Sequence, residues 1–510
     1  MASMNIILFG PPGAGKTSVG KALAARLGRE FVDADPLIEA RAGFSIPKIF
    51  SQRGEAGFRR LESEVCAELA ARDNLIIAPG GGALLNPANR AALERGGLIV
   101  CLRADPAALL ARLQAEGNRP LLAGDDPAQK LNALLDSRRA LYDSFPEQID
   151  TTGRSVPQVA EEIAALLAPR ALAVNAPGLQ HEIALGYGLL NSLPVLLAER
   201  GFTGPTVTVT DENVAPFIVH RSPLIVLPAG EQHKTLDTIR ALYDAFLKHG
   251  LDRGGLVIAV GGGVVGDMAG FAAATFMRGV RWVNVPTTLL AMVDASLGGK
   301  TGVDLPQGKN LVGAFHPPSL VVSDPLALNT LPHGERVSGM AEVIKHGVIG
   351  DTGLFETVEA GEAFGNVEQL RRAIAVKARV VEADPFEKGE RATLNLGHTV
   401  GHGVEAASGY TLRHGEAVSI GMAAECQLAV RLGLAEGVTA DRVTQALARA
   451  GLPTTCPGLD PARIREAMNS DKKKAGGRLK FALPKRIGEV TWGVEVDEAL
   501  LSDVLRAIAD

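Results

Sequence analysis

A glycine-rich turn near the start of the chain constrains the fold more than any other feature. Residues 10–17 (GPPGAGKT) fit the pattern of a phosphate-binding loop. The turn lies between an apolar run at residues 5–9, which predicts a buried strand, and residues 18–27, whose apolar spacing predicts a helix. Further short apolar runs, each followed by a polar or glycine-rich turn, lie at residues 31–33, 75–78 and 98–102. This alternation predicts an α/β fold with a parallel sheet covered on both faces.

The length of 510 residues corresponds to about three domains. We expect a first domain at residues 1–168 and a linker at 169–178, where two prolines and a glycine interrupt the periodicity. Alternatively, residues 171–174 already begin the first strand of the next domain. Strands and helices alternate again over 179–330, with strands predicted at residues 207–210, 224–227, 256–260 and 282–285. Helical patterns dominate residues 331–510, so a second α/β domain is followed by a mostly helical one.

Composition excludes several classes of protein. With 46% apolar residues and a net charge of -5, the chain supports large cores and lacks the basic excess of a nucleic-acid partner. No run reaches 18 uncharged apolar residues, so we expect no transmembrane helix. The start of the chain lacks the charged region of a secretion signal. Cys66, Cys101, Cys426 and Cys456 form no C-x-x-C pair, which is typical of reduced thiols in a cytoplasmic protein.

The phosphate-binding loop predicts ATP with Mg²⁺ as a ligand. Backbone N–H groups of such a loop surround phosphate oxygens, and the start of the following helix adds positive potential. Lys16 contributes a point charge, and Thr17 can hold the metal ion. The predicted ATP-binding residues in the loop are Gly13, Ala14, Gly15, Lys16, Thr17 and Ser18.

Other residues of the first domain predict the phosphoryl acceptor. Asp33 and Asp35 end the second predicted strand, a glycine run at residues 80–82 follows the third, and Arg59 and Arg138 lie on predicted helices. A carboxylate substrate is best held by guanidinium groups, and a reacting hydroxyl needs a carboxylate base. A small ligand could meet bare backbone at the glycine run, with these carboxylates and guanidinium groups nearby.

Over residues 4–167 this set resembles shikimate kinase. The resemblance implies shikimate binding by Asp35, Arg59, Gly81 and Arg138. In this family Asp35 meets the reacting hydroxyl, so Asp35 and Lys16 are the expected catalytic residues. Asp33 is implied on the magnesium side with Thr17, and Arg119 as a lid residue near the ATP phosphates. The sequence leaves open whether Arg138 or the adjacent Arg139 faces the substrate.

Three of the ten histidines predict a second, unrelated chemistry toward the end of the chain. His398, His402 and His414 fall within 17 residues. A spacing of four places His398 and His402 on one face of a helix. Imidazole is the commonest protein ligand of divalent transition metals, so this segment predicts a metal site.

A glycine turn at residues 261–267 (GGGVVGD) follows a predicted strand and precedes a predicted helix. Alone it is a weak indication of a dinucleotide site, but residues 228–234 and 286–288 also follow strands, where ligands of open α/β sheets bind. Glu342 and Lys345 lie three apart among apolar residues. A charged pair in such a segment indicates a lined cavity.

Over residues 179–500 these motifs resemble 3-dehydroquinate synthase, which implies a Rossmann-like NAD-binding domain and a helical metal-binding domain. The implied metal ligands are Glu342, His398 and His414, for zinc or cobalt. The implied NAD contacts are Glu231, Lys234, Gly263, Val264, Val265, Gly266, Asp267, Thr287, Thr288, Lys300, Lys309 and Thr330. The implied substrate contacts are Arg278, Lys309, Asn310, Lys377 and Asn395, with Asp294, Lys300, Lys345, Arg391 and His402 as catalytic residues. His402 remains an alternative fourth metal ligand.

The two resemblances predict a bifunctional enzyme that uses small-molecule substrates. It would phosphorylate shikimate with ATP and convert 3-deoxy-D-arabino-heptulosonate 7-phosphate to 3-dehydroquinate and phosphate. Alternatively, the second half is a metal-dependent polyol dehydrogenase of the glycerol-dehydrogenase type, although Lys300, Lys309 and Arg391 favour an anionic substrate. A third alternative makes the first half a non-catalytic binding module. The family also implies a homodimer through the synthase half, in which Arg278 can serve a neighbouring subunit.

Overall fold

The structure is a computed structural model that describes residues 4–115, 126–218, 222–474 and 479–510, with side chains described for all of these except 469–474. The chain divides into two compact units. Unit 1 comprises residues 1–169, 186–196 and 363–367, and unit 2 comprises residues 170–185, 197–362 and 368–510. None of the described helices is both long enough and apolar enough to cross a membrane.

Unit 1 contains the predicted parallel sheet. Its strands are β1 (Asn5–Phe9), β2 (Glu30–Asp33), β3 (Leu75–Ala78), β4 (Gly97–Arg103) and β5 (Gln148–Asp150). They lie in the order β2-β3-β1-β4-β5, and every pair is parallel. β1 is completely buried at the centre of the sheet, as its uninterrupted apolar sequence predicts.

Helices connect these strands. They are α1 (Lys16–Leu27), α2 (Ala34–Ala42), α3 (Ile46–Ala70), α4 (Pro87–Gly96), α5 (Pro106–Ala115), α6 (Pro127–Asp143) and α7 (Val156–Leu166). The ends of β1, β2 and β3 lead into α1, into α2 and into the glycine run. Ligand-binding residues after parallel strands therefore meet at one edge of the sheet.

Unit 2 is built on a seven-stranded sheet. Its strands are β6 (Arg170–Ala176), β7 (Leu179–Leu185), β8 (Thr206–Asp211), β9 (Leu224–Leu227), β10 (Leu256–Gly261), β11 (Arg281–Pro286) and β14 (Leu320–Ser323). The order is β6-β7-β14-β11-β10-β8-β9. Only the pair β6–β7 is antiparallel among these described strands.

The segment predicted as a linker contains a strand of this sheet. β6 pairs with β7 from Arg170 to Ala176, so residues 169–178 are not a free connection. Only Val174 and Ala176 of β6 are buried, because the strand forms the edge of the sheet. An edge strand of this kind lacks the continuous apolar run of a central strand, so the sequence left a linker and a first strand at residues 171–174 as alternatives, and the structure contains the strand.

The rest of unit 2 is mostly helical, as predicted. Its helices are α8 (Leu193–Glu199, which begins in unit 1), α9 (Leu236–Lys248), α10 (Gly263–Thr275), α11 (His333–Gly350), α12 (Thr352–Glu359), α13 (Val367–Ala383), α14 (His398–Ala407), α15 (His414–Arg431), α16 (Gly437–Arg449), α17 (Pro461–Lys474) and α18 (Glu498–Ala509). Two hairpins were not predicted: β12 (Lys300–Leu305) with β13 (Gly308–Phe315), and β15 (Phe481–Arg486) with β16 (Glu489–Val494).

Candidate active sites

The phosphate-binding loop of unit 1 contains glycines at positions that disfavour any side chain. A Cβ atom on Gly10 would lie 2.2 Å from the carbonyl oxygen of Leu102, and Gly15 has a φ of 91° immediately before α1. Lys16 Nζ donates to the carbonyl oxygens of Gly10 and Pro11, each at 2.9 Å. The loop thus folds over its own lysine at the start of a helix, the arrangement that suits phosphate oxygens.

The predicted magnesium residues lie together. Thr17 Oγ1 donates to Asp33 Oδ2 at 3.1 Å, which joins the start of α1 to the end of β2. The other carboxylate oxygen of Asp33 accepts the backbone N–H of Asp35 at 3.2 Å and caps α2. A hydroxyl beside a carboxylate is a suitable pair of oxygen ligands for Mg²⁺.

The glycine run leaves room for a charged cluster next to these residues. A Cβ atom on Gly80 would lie 3.0 Å from Glu62 Oε1 and 3.2 Å from Asp35 Oδ1, and one on Gly82 would lie 2.9 Å from Arg59 Nη1. Arg59 Nη1 donates to Glu62 Oε2 at 3.0 Å. Burial raises the pKa of Glu62, against the opposing effect of Arg59. Sequence reasoning gave Glu62 no role, because a carboxylate three residues after an arginine is common on solvated helices.

Arg138, and not its neighbour, contacts the glycine run. Arg138 Nη1 donates to the carbonyl oxygen of Gly81 at 2.7 Å. Arg139 pairs instead with Asp136, and its side chain is 69% exposed. Of the two arginines, Arg138 is the one that contacts the glycine run. Arg119 lies outside the described residues.

Arg112 is a loop contact that sequence reasoning missed. From α5 it donates to the carbonyl oxygens of Gly13 at 3.2 Å and of Thr151 at 2.6 Å. An arginine on an amphipathic helix carries no signal of such a role in the sequence alone.

In unit 2, three residues from three helices bring metal-ligating atoms together. Glu342 lies on α11, His398 begins α14 and His414 begins α15. Glu342 Oε1 is 3.6 Å from His398 Nε2 and 3.8 Å from His414 Nε2, and the candidate ligand atoms all lie within 4.8 Å of one another. One carboxylate and two imidazoles leave coordination positions open, as a catalytic metal site requires.

The surroundings of Glu342 fit a metal ion. Glu342 is fully buried, and its Oε1 has no hydrogen-bond partner among the described residues. Its Oε2 contacts the ammonium group of the equally buried Lys345. His398 Nδ1 lies 3.2 Å from the carbonyl oxygen of Leu396, so Nε2 is directed at Glu342. Lys345 balances the charge of Glu342 from one side, while Oε1 faces two imidazole nitrogens with no hydrogen-bond donor among the described residues, as a metal-ligand oxygen would.

His402 lies beside this group without joining it. Its ring centroid is 5.3 Å from that of His398 and 6.2 Å from that of His414. A second group of possible ligands, Asp294, Glu342 and His346, also lies within 4.8 Å. Lysine ammonium groups contact two members of that second group, so it suits a metal ion less well than the first.

The carboxylate of Asp294 lies close to the ammonium groups of two lysines. Lys377 Nζ lies 2.8 Å and Lys345 Nζ 3.8 Å from Asp294 Oδ1. Burial alone would raise the pKa of Asp294, but Lys377 and Lys345 hold it well below its usual range. Asp294 is therefore anionic and orients both ammonium groups.

Asp294 and its two lysines line a cavity of about 590 Å³ together with His398 and His414. A cavity of this size suits a small ligand. The predicted residues that line it are Asp267, Asp294, Lys300, Asn310, Lys345, Lys377, Arg391, Asn395, His398, His402 and His414. Lys300 Nζ is 2.5 Å from Glu387 Oε2. Glu387 also lines the cavity and was missed, although it lies only four residues before Arg391.

The predicted nucleotide side of the site surrounds Lys234. This nearly buried lysine donates to Asp267 Oδ2 and to Asn310 Oδ1, each at 2.6 Å. α10 begins at Gly263, and Cβ atoms on Gly262 and Gly263 would lie 3.2 Å from side chains of neighbouring segments. Bare backbone at the start of a long helix after a parallel strand is a suitable cradle for a pyrophosphate.

The remaining predicted NAD and substrate contacts are more scattered. Val264, Val265 and Gly266 lie in the first turn of α10, and the backbone N–H of Thr287 donates to Gly261. Thr288 Oγ1 accepts the N–H of Ala291. The predicted residues Glu231, Arg278 and Thr330 are not among those that line the cavity, and Arg278 is exposed.

Two further buried carboxylates of unit 2 were missed. Glu405 Oε1 is 2.8 Å from Lys309 Nζ, and its Oε2 is 3.7 Å from His414 Nδ1. Burial alone would raise the pKa of Glu405, but His414 and Lys309 lower it to about 2. Glu425 of α15 accepts the backbone N–H groups of Gly397 at 2.5 Å and Val400 at 3.2 Å at the start of α14.

Comparison with protein families agrees with this division of the chain. The family model for shikimate kinase matches residues 12–168. The models for the N-terminal and C-terminal parts of 3-dehydroquinate synthase match residues 224–338 and 339–474.

Similar proteins cover the synthase part. The 3-dehydroquinate synthase of Symbiobacterium thermophilum is 47% identical over 348 residues, which are 62% of this chain and 97% of that protein. The 3-dehydroquinate synthase of a Synechococcus species is 50% identical over 297 residues, which are 56% of this chain and 81% of that protein.

Two solved structures of other synthases share the fold of the synthase part. A 2-deoxy-scyllo-inosose synthase, in complex with carbaglucose-6-phosphate, NAD⁺ and Co²⁺, is 28% identical with a TM-score of 0.60, over 67% of this chain and all of that one. The 2-epi-5-epi-valiolone synthase of Streptomyces hygroscopicus, with NAD⁺ and Zn²⁺ bound, also has 28% identity and a TM-score of 0.60, over 66% of this chain and 99% of that one. The chain therefore belongs to the 3-dehydroquinate synthase family and carries a shikimate kinase domain before its synthase domains.

Proposed function

We propose that unit 2 converts 3-deoxy-D-arabino-heptulosonate 7-phosphate to 3-dehydroquinate and phosphate with NAD and a divalent metal ion, and that unit 1 phosphorylates shikimate with ATP. One observation carries the proposal for unit 2. Glu342, His398 and His414 come together, and the two histidines line a cavity that four cationic side chains also line. The two structural relatives with NAD⁺ and Zn²⁺ or Co²⁺ support the same cofactors here.

Glu342, His398 and His414 would hold the metal ion, and the glycine turn before α10 would hold NAD. When bound, the metal ion polarises a substrate hydroxyl, and NAD accepts and later returns a hydride, so that no cofactor is consumed. Lys234 is fixed by Asp267 and Asn310 beside the glycine turn and supplies positive charge there.

The chain's own charges select the substrate. Lys300, Lys345, Lys377 and Arg391 line the cavity and attract the phosphate and carboxylate groups of a sugar-acid phosphate. A neutral polyol would gain nothing from this set of cations, which argues against the polyol dehydrogenase. His402 faces the same cavity and is the proposed partner for a proton exchanged with the departing phosphate.

In unit 1, Lys16 and the loop N–H groups would bind ATP, with Thr17 and Asp33 on the Mg²⁺ side. Arg59 and Arg138 would hold the shikimate carboxylate on either side of the glycine run. Asp35 would accept the proton of the reacting hydroxyl. The positions of the two side chains support this assignment, because Cβ atoms on the neighbouring residues Gly82 and Gly81 would lie 2.9 Å from Arg59 Nη1 and 4.0 Å from Arg138 Nη1.

Two assays test the pair of activities. With the heptulosonate phosphate and NAD⁺, the full chain should release phosphate and form 3-dehydroquinate in equal amounts. The absorbance of NADH at 340 nm should not rise during the reaction. With shikimate and ATP it should form ADP. Steady NADH accumulation from glycerol and NAD⁺, without phosphate release from the heptulosonate, would instead support the polyol dehydrogenase.

We also propose a homodimer formed through unit 2 and a cytoplasmic location. The exposure of Arg278 supports a contact with the active site of a second copy, and all four cysteines are free and buried, as in reducing compartments. Sedimentation of the full chain and of Arg278→Ala, together with the phosphate-release rate, tests the dimer. A monomeric, fully active protein would contradict it.

A further inference from the structure

Glu405 is a buried carboxylate that the proposed reaction does not yet use. It lies seven residues after His398, two turns along α14, so the two side chains leave the same side of the helix. Its side chain is 8% exposed. Each oxygen has its own cationic or imidazole neighbour: Lys309 Nζ at 2.8 Å and His414 Nδ1 at 3.7 Å. A buried anion needs such partners, and here both belong to the candidate site.

His414 presents its two ring nitrogens to two carboxylates. Nδ1 faces Glu405, and Nε2 lies 3.8 Å from Glu342 Oε1. The backbone at this point is fixed separately, because Glu416 accepts the N–H of Arg413 at 2.8 Å and caps α15. What the cap leaves undetermined is the orientation and tautomer of the imidazole ring.

His398 provides the comparison within the same site. Its Nδ1 lies 3.2 Å from the carbonyl oxygen of Leu396, and its Nε2 lies 3.6 Å from Glu342 Oε1. Both imidazoles therefore have an oxygen atom behind Nδ1, at hydrogen-bond distance in His398 and slightly farther, at 3.7 Å, in His414, and both have the same carboxylate oxygen in front of Nε2. An acceptor at Nδ1 keeps the proton there and leaves the lone pair of Nε2 free for a metal ion.

The two acceptors differ in one respect. Leu396 offers a neutral carbonyl, whereas Glu405 offers a charge that it also shares with Lys309. The Lys309 ammonium group additionally lies 4.7 Å above the ring of Tyr410, so it is held between an anion and an aromatic face. Lys309 and His414 thus share the negative charge of one carboxylate, that of Glu405.

We propose that Glu405 is a positioning residue that directs the Nε2 lone pair of His414 toward the metal ion and links the strength of this ligand to the state of Lys309. The proposal rests on the metal site proposed above. When an anionic substrate group attracts Lys309, more of the Glu405 charge remains for His414. His414 then becomes a stronger metal ligand at the moment the substrate binds.

The test measures Zn²⁺ affinity of the full-length, metal-free protein by competition with a chromophoric chelator. Glu405→Gln should bind Zn²⁺ about 10- to 100-fold more weakly than the unaltered protein, the usual effect of losing a carboxylate behind a ligand histidine. The visible spectrum of the Co²⁺-loaded protein should change as well. Glu359→Gln is the matched control, because Glu359 pairs with Arg442 outside the site. It should keep the Zn²⁺ affinity within twofold and leave the spectrum unchanged.

Equal Zn²⁺ affinities for Glu405→Gln and the unaltered protein would overturn the role of Glu405 while leaving the metal site in place. Failure of the unaltered protein to bind Zn²⁺ or Co²⁺ would remove the metal site and this proposal together.

A second variant separates positioning from simple support of the fold and serves equally if Glu405→Gln does not fold. Lys309→Met removes the competing ammonium group and keeps the carboxylate. Its Zn²⁺ affinity should exceed that of the unaltered protein. A network that only supports the fold would lose affinity when either partner is removed, so unchanged or weaker binding by Lys309→Met contradicts the proposal.

Discussion

At the scale of single residues, adjacent arginines of α6 differ in what they contact. Arg138 donates to the carbonyl oxygen of Gly81, whereas Arg139 pairs with Asp136 at the surface. The sequence presents the two as equivalent, because both belong to one helix and either can be reached from a neighbouring loop. Only the rotation of α6 about its axis, which packing determines, assigns one of them to the glycine run.

This difference predicts a matched pair of variants. Arg138→Met should raise the KM for shikimate by about 10- to 100-fold, because a charge-assisted hydrogen bond to a carboxylate contributes about 1.5–3 kcal/mol. Arg139→Met should leave KM within twofold, since an exposed ion pair contributes little. Initial rates of ADP formation at varied shikimate concentrations measure both. The reverse ranking of the two variants would remove Arg138 from the site.

At the scale of elements, the metal site depends on the close packing of α14 and α15, which carry His398 and His414. A Cβ atom on Gly421 would lie 2.0 Å from the carbonyl oxygen of Gly397 and 2.6 Å from the backbone nitrogen of Gly401. The helices therefore meet backbone to backbone, and their separation sets the distance between the two imidazoles.

Gly421→Ala should separate these helices. We expect a loss of about 1–3 kcal/mol in the free energy of unfolding, as for other overpacked cores, together with weaker Zn²⁺ binding. Gly437→Ala in α16 is the control, because a Cβ atom there meets no atom within 4 Å. Urea unfolding followed by tryptophan fluorescence reports unit 2, which contains both Trp282 and Trp492. Unchanged stability and Zn²⁺ affinity in Gly421→Ala would contradict this account of the packing.

Glu425 of α15, whose carboxylate accepts backbone N–H groups at the start of α14, should make the stability of unit 2 depend on pH. Burial raises the pKa of Glu425 from 4.5 to about 8, although the backbone N–H groups of Gly397, Val400 and Thr399 oppose this shift. Between these two values the folded protein holds one proton more than the unfolded chain. The contribution of Glu425 to the free energy of unfolding is therefore at its maximum below pH 4.5 and is lost as the pH rises toward 8.

Glu425→Gln removes this titration. Between pH 5 and 8, the free energy of unfolding should fall less steeply with pH in the variant than in the unaltered protein. The two slopes should differ by up to about 1.4 kcal/mol per pH unit. In Glu359→Gln the slope should match the unaltered protein, because the pKa of Glu359 is lowered, principally by its hydrogen bond with Arg442. Urea unfolding at several pH values measures the slopes, and identical slopes in Glu425→Gln and the unaltered protein would refute the raised pKa.

At the scale of the whole molecule, the two chemistries are carried by separate sets of residues. The phosphate-binding loop belongs to unit 1, and the histidines belong to unit 2. Each activity should therefore be removable without the other. Dialysis against a chelator, followed by return of Mg²⁺ alone, should abolish phosphate release from the heptulosonate and preserve shikimate-dependent ADP formation. Added Zn²⁺ or Co²⁺ should restore the first activity.

Lys16→Ala provides the converse experiment. It should reduce ADP formation by at least about a hundredfold, because a charge that stabilises the transferring phosphoryl group is lost. Phosphate release from the heptulosonate should continue at the rate of the unaltered protein. Loss of both activities in either experiment would mean that the two sites depend on each other.

The sequence by itself determined the elements that local patterns encode. Apolar runs predicted the strands β1, β3, β4 and β10, because both faces of a parallel sheet are buried. The loop at residues 10–17 was recognisable because strand, glycines, lysine and helix follow one another directly. The local pattern of His398, His402 and His414 indicated a metal site in this segment, whereas the candidate ligand set Glu342, His398 and His414 followed from the family resemblance.

Only the tertiary structure decided that β6 is a strand and which distant polar groups meet. β6 has the sequence of a linker because an edge strand buries only one side. Glu405, Glu425 and Arg112 have the sequence context of ordinary helix residues. Their partners Lys309, Gly397 and Gly13 lie from 28 to 99 residues away in the chain. A periodic pattern specifies which face of a helix is buried, but it contains no information about the charged group that the packed fold places against that face.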